Sequence, residues 1–224
     1  MKNPFVLYLR TSRYLKPVQV FGRIWFRLQT PSVRIGPPPP IRRRAAEWAS
    51  SPLKSRALLS PSRFRLLNEE HEIKDPSDWN NPQWAKLWLY HLHYFDDLNA
   101  DGAGLRTAWH ASLIERWIAE NPVGRGNGWE PYPLSRRIVN WIEWTWAGNE
   151  LPLEAAASLA VQSRYLRKRL EWHILGNHLL ANAKALIFAG LFFEGPGAEG
   201  LLAIGASIFS RQLAEQVLAD GGHF

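Results

Sequence analysis

The sequence predicts an all-α protein in which antiparallel helical hairpins follow a basic, partly irregular N-terminal arm. From about residue 79 onward, apolar residues recur at helical spacing in one segment after another, and no alternating strand pattern interrupts them. Before that point the chain is rich in arginine and broken by prolines. We therefore expect a basic arm over residues 1–78 and a helical domain over residues 79–224.

The arm is expected to combine short helices with extended chain. Residues 4–29 predict one or two amphipathic helices, in which Phe21, Trp25 and Leu28 stand among arginines. Such a helix can lie on a membrane surface, but packing of its aromatic face on its own domain is the simpler interpretation. The prolines at 37–40 predict a stiff polyproline linker, and residues 41–78 predict irregular structure or short strands.

Six helical segments are expected in the helical domain. The first starts near Pro82 and runs to Phe95, and the others span residues 105–120, 134–147, 152–173, 175–193 and 196–218. Segment 175–193 is apolar nearly all round, which predicts a central position. Residues 124–133 predict a long loop. Short connections favour antiparallel neighbours, so the helices should form hairpins in a layer or a ring.

The net charge of +7 indicates an anionic partner. Residues 1–65 contain a single acid, Glu47, so the positive field belongs mainly to the arm. An acidic glycan, a nucleic acid and a membrane surface would all fit, but no nucleic-acid-binding motif is recognisable and we expect no nucleic-acid partner. The absence of cysteine excludes disulfides and thiolate chemistry. No apolar run is long enough for a transmembrane helix.

Asn177 and His178 are the most informative residues, because both are poor helix formers inside the apolar run 170–190. A helical path aligns Asn177 with Leu180, Ala181 and Lys184, and His178 with Asn182. Two interpretations stay open. The pair is either a buried polar bridge between helices or a reactive site.

The loop before the third long helix carries Trp129, Glu130 and Tyr132, and Arg136 and Arg137 follow it. An aromatic ring can stack on the apolar face of a sugar, while an arginine binds a carboxylate or sulfate through two parallel hydrogen bonds. The alternative is that the aromatic residues anchor the loop to the core and the arginines pair with nearby glutamates.

His91 and His93 form the third candidate pair. Residues two apart on a helix do not face the same way, so a two-histidine metal clamp is not expected. One ring should point to a cleft and the other to solvent. No other histidine or carboxylate has metal-ligand spacing, and we expect no metal site.

Three segments, in order, resemble the N-terminal helical domain of the heparinase II/III-like polysaccharide lyases. They are LWLYHLHYFDDL, NGWEPYPLSRRIVNWI and LEWHILGNHLLANAKALIFAGLFFEG, and the closing ADGGHF is similar too. The resemblance covers roughly residues 76–224 and implies an incomplete (α/α) toroid. In that family a β-sandwich domain follows, and the cleft between the two binds an acidic polysaccharide. The implied reaction is β-elimination at a uronic acid, which requires no cofactor.

The resemblance assigns roles to individual residues. Asn177 matches the asparagine that neutralises the substrate carboxylate, and His178 matches an adjacent histidine that serves in some relatives as base or neutraliser. The candidate substrate-binding residues are Trp129, Glu130, Tyr132, Arg136, Arg137, His91 and His93. The alternative function is a non-catalytic helical domain that binds acidic glycans.

The chain ends at Phe224. The family's catalytic tyrosine lies beyond the matching motif, and a further histidine comes from the β-sandwich. We therefore expect no lyase turnover from this polypeptide alone and turnover from the full-length protein, measured as ultraviolet absorbance of the unsaturated product. The family implies the bacterial periplasm, but residues 1–16 show no clear signal peptide, so the cytoplasm is the alternative.

Overall fold

A computed structural model describes residues 14–43, 48–49 and 54–222. Within these ranges seven α-helices confirm the predicted all-α class, and none of them is long and apolar enough to cross a membrane. They are α1 (Pro17–Leu28), α2 (Lys86–Leu92), α3 (Thr107–Glu120), α4 (Pro131–Trp146), α5 (Leu153–Arg167), α6 (Gly176–Phe192) and α7 (Pro196–Gln216). Closure of the helices into a toroid stays a prediction.

A small antiparallel hairpin precedes the helical array. It pairs β1 (Arg63–Leu66) with β2 (Glu69–Glu72), as expected for short strands in this part of the arm. Leu67 and Asn68 connect the strands with φ angles of 52° and 64°. Two left-handed residues in succession are typical of a type I′ turn, whose twist matches that of the strands.

Several helix ends differ from the predicted bounds. The helix expected from Pro82 to Phe95 is shorter, because it begins only at Lys86 and Phe95 takes a left-handed φ of 61°. A 3₁₀ helix, Asp96–Asn99, follows. The chain leaves the helical path after Arg167 rather than after residue 173. Of the closing motif, His223 and Phe224 lie outside the described residues.

Helix α4 is the most enclosed element, because twelve of its residues are buried on several sides. It packs against α5 and α6, and α6 also packs against α7. Glycines permit the close approach of the last two helices. A Cβ at Gly190 would lie 2.6 Å from the backbone nitrogen of Leu202, and one at Gly205 would lie 2.9 Å from the carbonyl oxygen of Ala183. The α6–α7 hairpin therefore gives the groove described below a rigid wall.

The main hydrophobic core crosses the predicted arm boundary. Leu58, Phe64 and Ile73 belong to the same buried cluster as the tryptophans of α2, α3 and α4. The polyproline stretch lies against the α6–α7 junction, where the amide of Glu194 donates to the carbonyl of Pro40 at 2.8 Å. The division at residue 78 stays a prediction, although the packing is continuous across it.

Basic side chains near the end of α5 hold the arm by its backbone. Lys168 Nζ donates to the carbonyl oxygen of Ser32 at 2.7 Å, and Arg164 Nη2 donates to that of Arg34 at 3.1 Å. Arg169 donates to two further carbonyl oxygens of the arm, those of Phe26 and Gln29. These four hydrogen bonds fix the path of the arm through its backbone and do not involve its side chains.

A buried carboxylate joins the arm to α3. Asp97 accepts hydrogen bonds from the amides of Ala57 and Leu58 at 2.7 and 2.9 Å, from Arg106 Nε at 2.9 Å and from the ring of His110 at 2.9 Å. Although burial opposes ionisation, these hydrogen bonds lower the pKa of Asp97 to about 2. The folded protein therefore contains Asp97 as a carboxylate, and the hydrogen bonds to this carboxylate help to hold the arm on α3.

His93 is fully buried and bonded through both ring nitrogens. Nδ1 accepts from the indole N–H of Trp117 at 3.0 Å, so Nε2 carries the proton and donates to the carbonyl oxygen of Trp79 at 3.0 Å. Burial, together with the positive charge of Arg137, lowers the pKa of His93 to about 3. A second proton would break the bond from Trp117, so the native state requires the neutral ring.

We expect the free energy of unfolding to fall as the pH is lowered from 6.5 to 3. In this window the unfolded chain protonates His93 and the folded protein does not, which costs up to about 1.4 kcal/mol per pH unit. Asp97 extends the loss below pH 4, because its folded pKa lies below its unfolded value. Urea unfolding at several pH values gives the free energy of unfolding as a function of pH. We expect this free energy to change less steeply with pH in His93→Gln than in the control His91→Gln. Equal slopes would contradict the assignment.

Candidate active site

A groove lies between α4 and α6, with Lys54 of the arm and Phe209 of α7 at its edges. Its volume of ≈ 560 Å³ is within the range of ligand sites in proteins. It is lined by Lys54, Tyr132, Ser135, Arg136, Val139, Asn140, Glu143, Asn177, Leu180, Ala181, Lys184 and Phe209. A second cavity of ≈ 410 Å³ shares Glu143 with it and includes Trp48.

One face of α6 supplies the groove wall. Asn177, Leu180, Ala181 and Lys184 all line the groove, which is the alignment that helical spacing predicts. Asn177 is exposed, so its amide is accessible from the groove. The sequence alone left a buried polar bridge as the alternative for the pair, and of the two residues Asn177 is exposed while His178 bonds a buried carboxylate.

The chain enters α6 through two left-handed residues, Leu175 and Gly176, with φ angles of 64° and 57°. For leucine such a conformation costs on the order of 1–3 kcal/mol, and strain of this kind clusters at functional sites. The turn places Asn177 and His178 in the first helical turn rather than in the middle of the helix. Amides in a first turn lack intrahelical acceptors, and they carry partial positive charge.

His178 is held by a buried carboxylate. Its Nδ1 lies 3.0 Å from Glu171 Oε1, and Glu171 Oε2 accepts from Asn182 Nδ2 at 3.1 Å. The same Asn182 amide donates to Ser135 Oγ at 3.0 Å, which ties the network to α4. With Nδ1–H donated to Glu171, Nε2 is the basic nitrogen of a neutral His178 ring.

Tyr132 lies beside His178 at the start of α4. Their ring centroids are 4.5 Å apart, and Tyr132 also contacts Tyr94 edge-on at 5.9 Å. Arg136, one turn further along α4, lies 5.7 Å from the Tyr94 ring. Tyr132, Arg136 and Asn177 therefore line the groove together, and His178 lies against Tyr132 just outside that lining.

Positive side chains dominate the rest of the groove. Lys54 Nζ lies 3.1 Å from Asp96 Oδ1 and 3.9 Å from Glu143 Oε2, and Arg136 Nη2 lies 3.2 Å from the same Asp96 oxygen. Lys184 Nζ is 3.9 Å from Glu143 Oε1, and partial burial lowers the pKa of Lys184. Three cations thus share two carboxylates, which leaves the cluster with net positive charge.

Three of the candidate binding residues lie in the core instead. His93 and Arg137 are fully buried, and Trp129 is 3% exposed, with its indole N–H donating to the carbonyl of Asn121 at 3.3 Å. A ring or guanidinium enclosed on all sides has no surface to offer a sugar. For Trp129 this agrees with the alternative that the aromatic residues anchor the loop to the core, whereas Arg137 bonds Gln162 and two backbone carbonyls rather than a glutamate.

The remaining two candidates lie near the groove but outside its lining. Glu130 accepts from the hydroxyl of Tyr90 and lies 2.9 Å from Lys86 Nζ. His91 is half-buried and contacts Tyr94 in a tilted arrangement with ring centroids 4.7 Å apart, and burial lowers the pKa of His91. One of the two rings, His91 or His93, was expected to point to a cleft and the other to solvent. His93 does neither, because it is fully buried. In the described ranges no three His, Asp or Glu side chains are grouped to hold a metal ion.

The model of the heparinase II/III N-terminus family matches residues 106–224, which is more than half of the chain. The chain belongs to the heparinase II/III N-terminal family. The match includes every residue of the groove lining given above except Lys54, and it also includes Glu171, His178 and Asn182. No curated protein and no solved structure matches this chain.

The heparinase II/III N-terminal domain thus contains functional candidates that sequence reasoning missed. Lys184 and Asn182 had a signal in their helical alignment with Asn177 and His178. The sequence signal for Glu171 was weaker: it lies seven residues before His178 in the same predicted segment. Glu143 had a signal in its helical alignment with Arg136 and Asn140, whereas Lys54 had none, because only the tertiary fold brings the arm to α4.

Proposed function

We propose that this chain is the helical domain of a polysaccharide lyase that cleaves uronic-acid-containing polysaccharide by β-elimination. The observation that carries the proposal is the shared groove. An exposed amide, Asn177, lines the same surface as Lys54, Arg136 and Lys184. Membership of the heparinase II/III N-terminal family supports a lyase-related domain.

The residue types fit the chemistry of elimination. The C5 proton of a uronate is weakly acidic while the adjacent carboxylate keeps its charge. An amide N–H from Asn177, aimed at that carboxylate, would stabilise the charge that develops as the proton leaves. The first-turn backbone amides of α6 would add to this stabilisation. Lys184 and Arg136 would bind further acidic groups along the polymer.

The reaction also needs a base and an acid. The base takes the C5 proton, the electron pair forms the C4–C5 double bond, and the C4–O4 bond breaks as O4 receives a proton from the acid. We assign His178 as a candidate base, because Glu171 orients its ring and leaves Nε2 basic. Tyr132 lies against this ring and is a substrate-binding candidate.

Turnover by the full-length protein tests the reaction. Heparan sulfate, alginate and a bacterial exopolysaccharide that contains uronate serve as substrates, and the product is measured by ultraviolet absorbance of the unsaturated sugar. We expect absorbance to rise with at least one of them. Tight binding without any absorbance change would support the non-catalytic glycan-binding domain instead.

Binding tests the groove independently of turnover. We expect Lys184→Ala to weaken the affinity for an acidic oligosaccharide by about 3–10-fold, the effect of one partly exposed charge-assisted contact. Added salt should weaken binding of the unchanged protein as well. The matched control is Lys74→Ala, because Lys74 is exposed at the end of the hairpin and distant from the groove lining. An equal loss in both variants would mean that binding follows overall charge rather than this groove.

A further inference from the structure

Helix α1 leaves a broad apolar surface uncovered. None of its residues is buried, and its largest apolar side chains are mostly exposed, with Phe21 at 72%, Trp25 at 64% and Leu28 at 79%. Ile24 and Val18 are also exposed. At 100° per residue these five side chains fall within about 120° of the helix circumference. We call these five residues the α1 apolar face.

The α1 apolar face stays largely exposed although α1 itself is docked, and of its five residues Trp25 borders a small cavity that domain residues 167–170 and Trp172 also line. Docking uses a different, narrow side of the helix. A Cβ on Gly22 would lie 3.3 Å from the backbone nitrogen of His173, and the rings of Phe26 and His173 are 4.3 Å apart. Arg169 lies 3.5 Å from the Phe26 ring. The simpler sequence interpretation, an aromatic face packed on its own domain, therefore holds for Phe26 and not for Phe21 or Trp25.

The chemistry around the α1 apolar face is strongly basic. Residues 14–43 contain six Lys and Arg residues and not one Asp or Glu. Arg23 and Arg27 lie on the side of the helix away from the apolar face, which is the arrangement of helices that lie in a membrane interface, while Lys16 precedes the helix and pairs with Glu215 of α7. The positive charge therefore favours an anionic partner. The broad α1 apolar face favours a partner that also has a hydrophobic layer.

We propose that α1 binds the surface of an anionic membrane, with Phe21, Trp25 and Leu28 inserted at the boundary between headgroups and acyl chains. An acidic glycan would meet the cations but would leave the apolar face in water. A second copy of the chain would bring two basic segments without acids together, and their repulsion opposes such a dimer. A lipid surface satisfies both features at once.

Vesicle co-sedimentation of the 224-residue chain tests the proposal. We expect binding to vesicles of phosphatidylcholine with phosphatidylglycerol to be at least 10-fold stronger than to phosphatidylcholine alone. The variant Phe21→Ser, Trp25→Ser, Leu28→Ser should lose at least 10-fold of this binding. All three residues are exposed, so the substitutions remove no core packing, and a thermal melt checks the fold. The matched control is Leu105→Ser, because Leu105 is 93% exposed and lies outside the face.

Three results would overturn the proposal. They are no binding of the unchanged protein to anionic vesicles, equal binding by the triple variant, and a dimer in solution that the triple variant abolishes while neither form binds vesicles. The proposal is independent of the groove. The triple variant should bind acidic oligosaccharide normally, and Lys184→Ala should bind vesicles normally.

Discussion

Replacing Arg137 by alanine is expected to destabilise the protein by about 3–5 kcal/mol, whereas the same change at Arg136 should alter the free energy of unfolding by less than about 1 kcal/mol. The two arginines are adjacent in sequence and opposite in environment. Arg136 is partly exposed at the groove, with its charge shared between Asp96 and solvent. Arg137 is fully buried.

The buried guanidinium of Arg137 joins three elements of the fold. It donates to Gln162 Oε1 at 3.0 Å, to the carbonyl of His93 at 3.2 Å and to the carbonyl of Gly128 at 2.8 Å. It also stacks on Trp117 at 3.7 Å. Alanine would leave three buried acceptors unpaired and a cavity beside the indole, and both effects destabilise.

Urea unfolding of the two alanine variants measures the difference. Arg137→Lys is a useful third variant, because an ammonium keeps the charge but cannot reproduce three planar hydrogen bonds, so most of the loss should persist. Similar unfolding midpoints for Arg136→Ala and Arg137→Ala would contradict the structural assignment of the pair.

Replacing Asn177 by alanine is expected to lower the kcat of the full-length protein on its uronate polymer by about 10²-fold or more. The amide is proposed to act mainly in the transition state, where charge accumulates on the carboxylate, so kcat should fall more than KM rises. Asn177→Asp should be at least as damaging, since it places a like charge where the substrate carboxylate must bind.

Steady-state rates from product absorbance decide this prediction, and circular dichroism checks that the variants fold. Because Asn177 is exposed, neither substitution should disturb the core. A change in Kd with unchanged kcat would favour simple glycan binding. Turnover equal to that of the unchanged protein would reject the proposed role of Asn177.

Helical periodicity predicted more of the groove than of the loop before it. Spacing along a single helix was enough to place Leu180, Ala181 and Lys184 beside Asn177, because one dihedral pattern fixes all four directions. The orientation of the loop side chains depends on the residue at which α4 begins. It begins at Pro131, so Tyr132 lies in its first turn and turns toward α6, while Trp129 remains in the core.

The choice between adjacent arginines could not be made from sequence. Periodicity puts Arg137 at the border of the apolar face of α4, where a long side chain can point either way. The acceptors that draw it inward come from residues 9, 25 and 44 positions away along the chain. Lys54 is a similar case, since the arm segment that carries it reaches α4 only through tertiary packing.

The way the domain holds its arm has a consequence for how the two parts can diverge. Lys168 and Arg169 bind carbonyl oxygens, and a carbonyl is present whatever side chain a residue carries. Mutations that change the arm's side chains therefore leave these bonds available. Exposed side chains of the arm, such as those of the α1 apolar face, can therefore change without loss of these bonds, whereas the positive charge of the groove depends on the particular side chains of Lys54, Arg136 and Lys184.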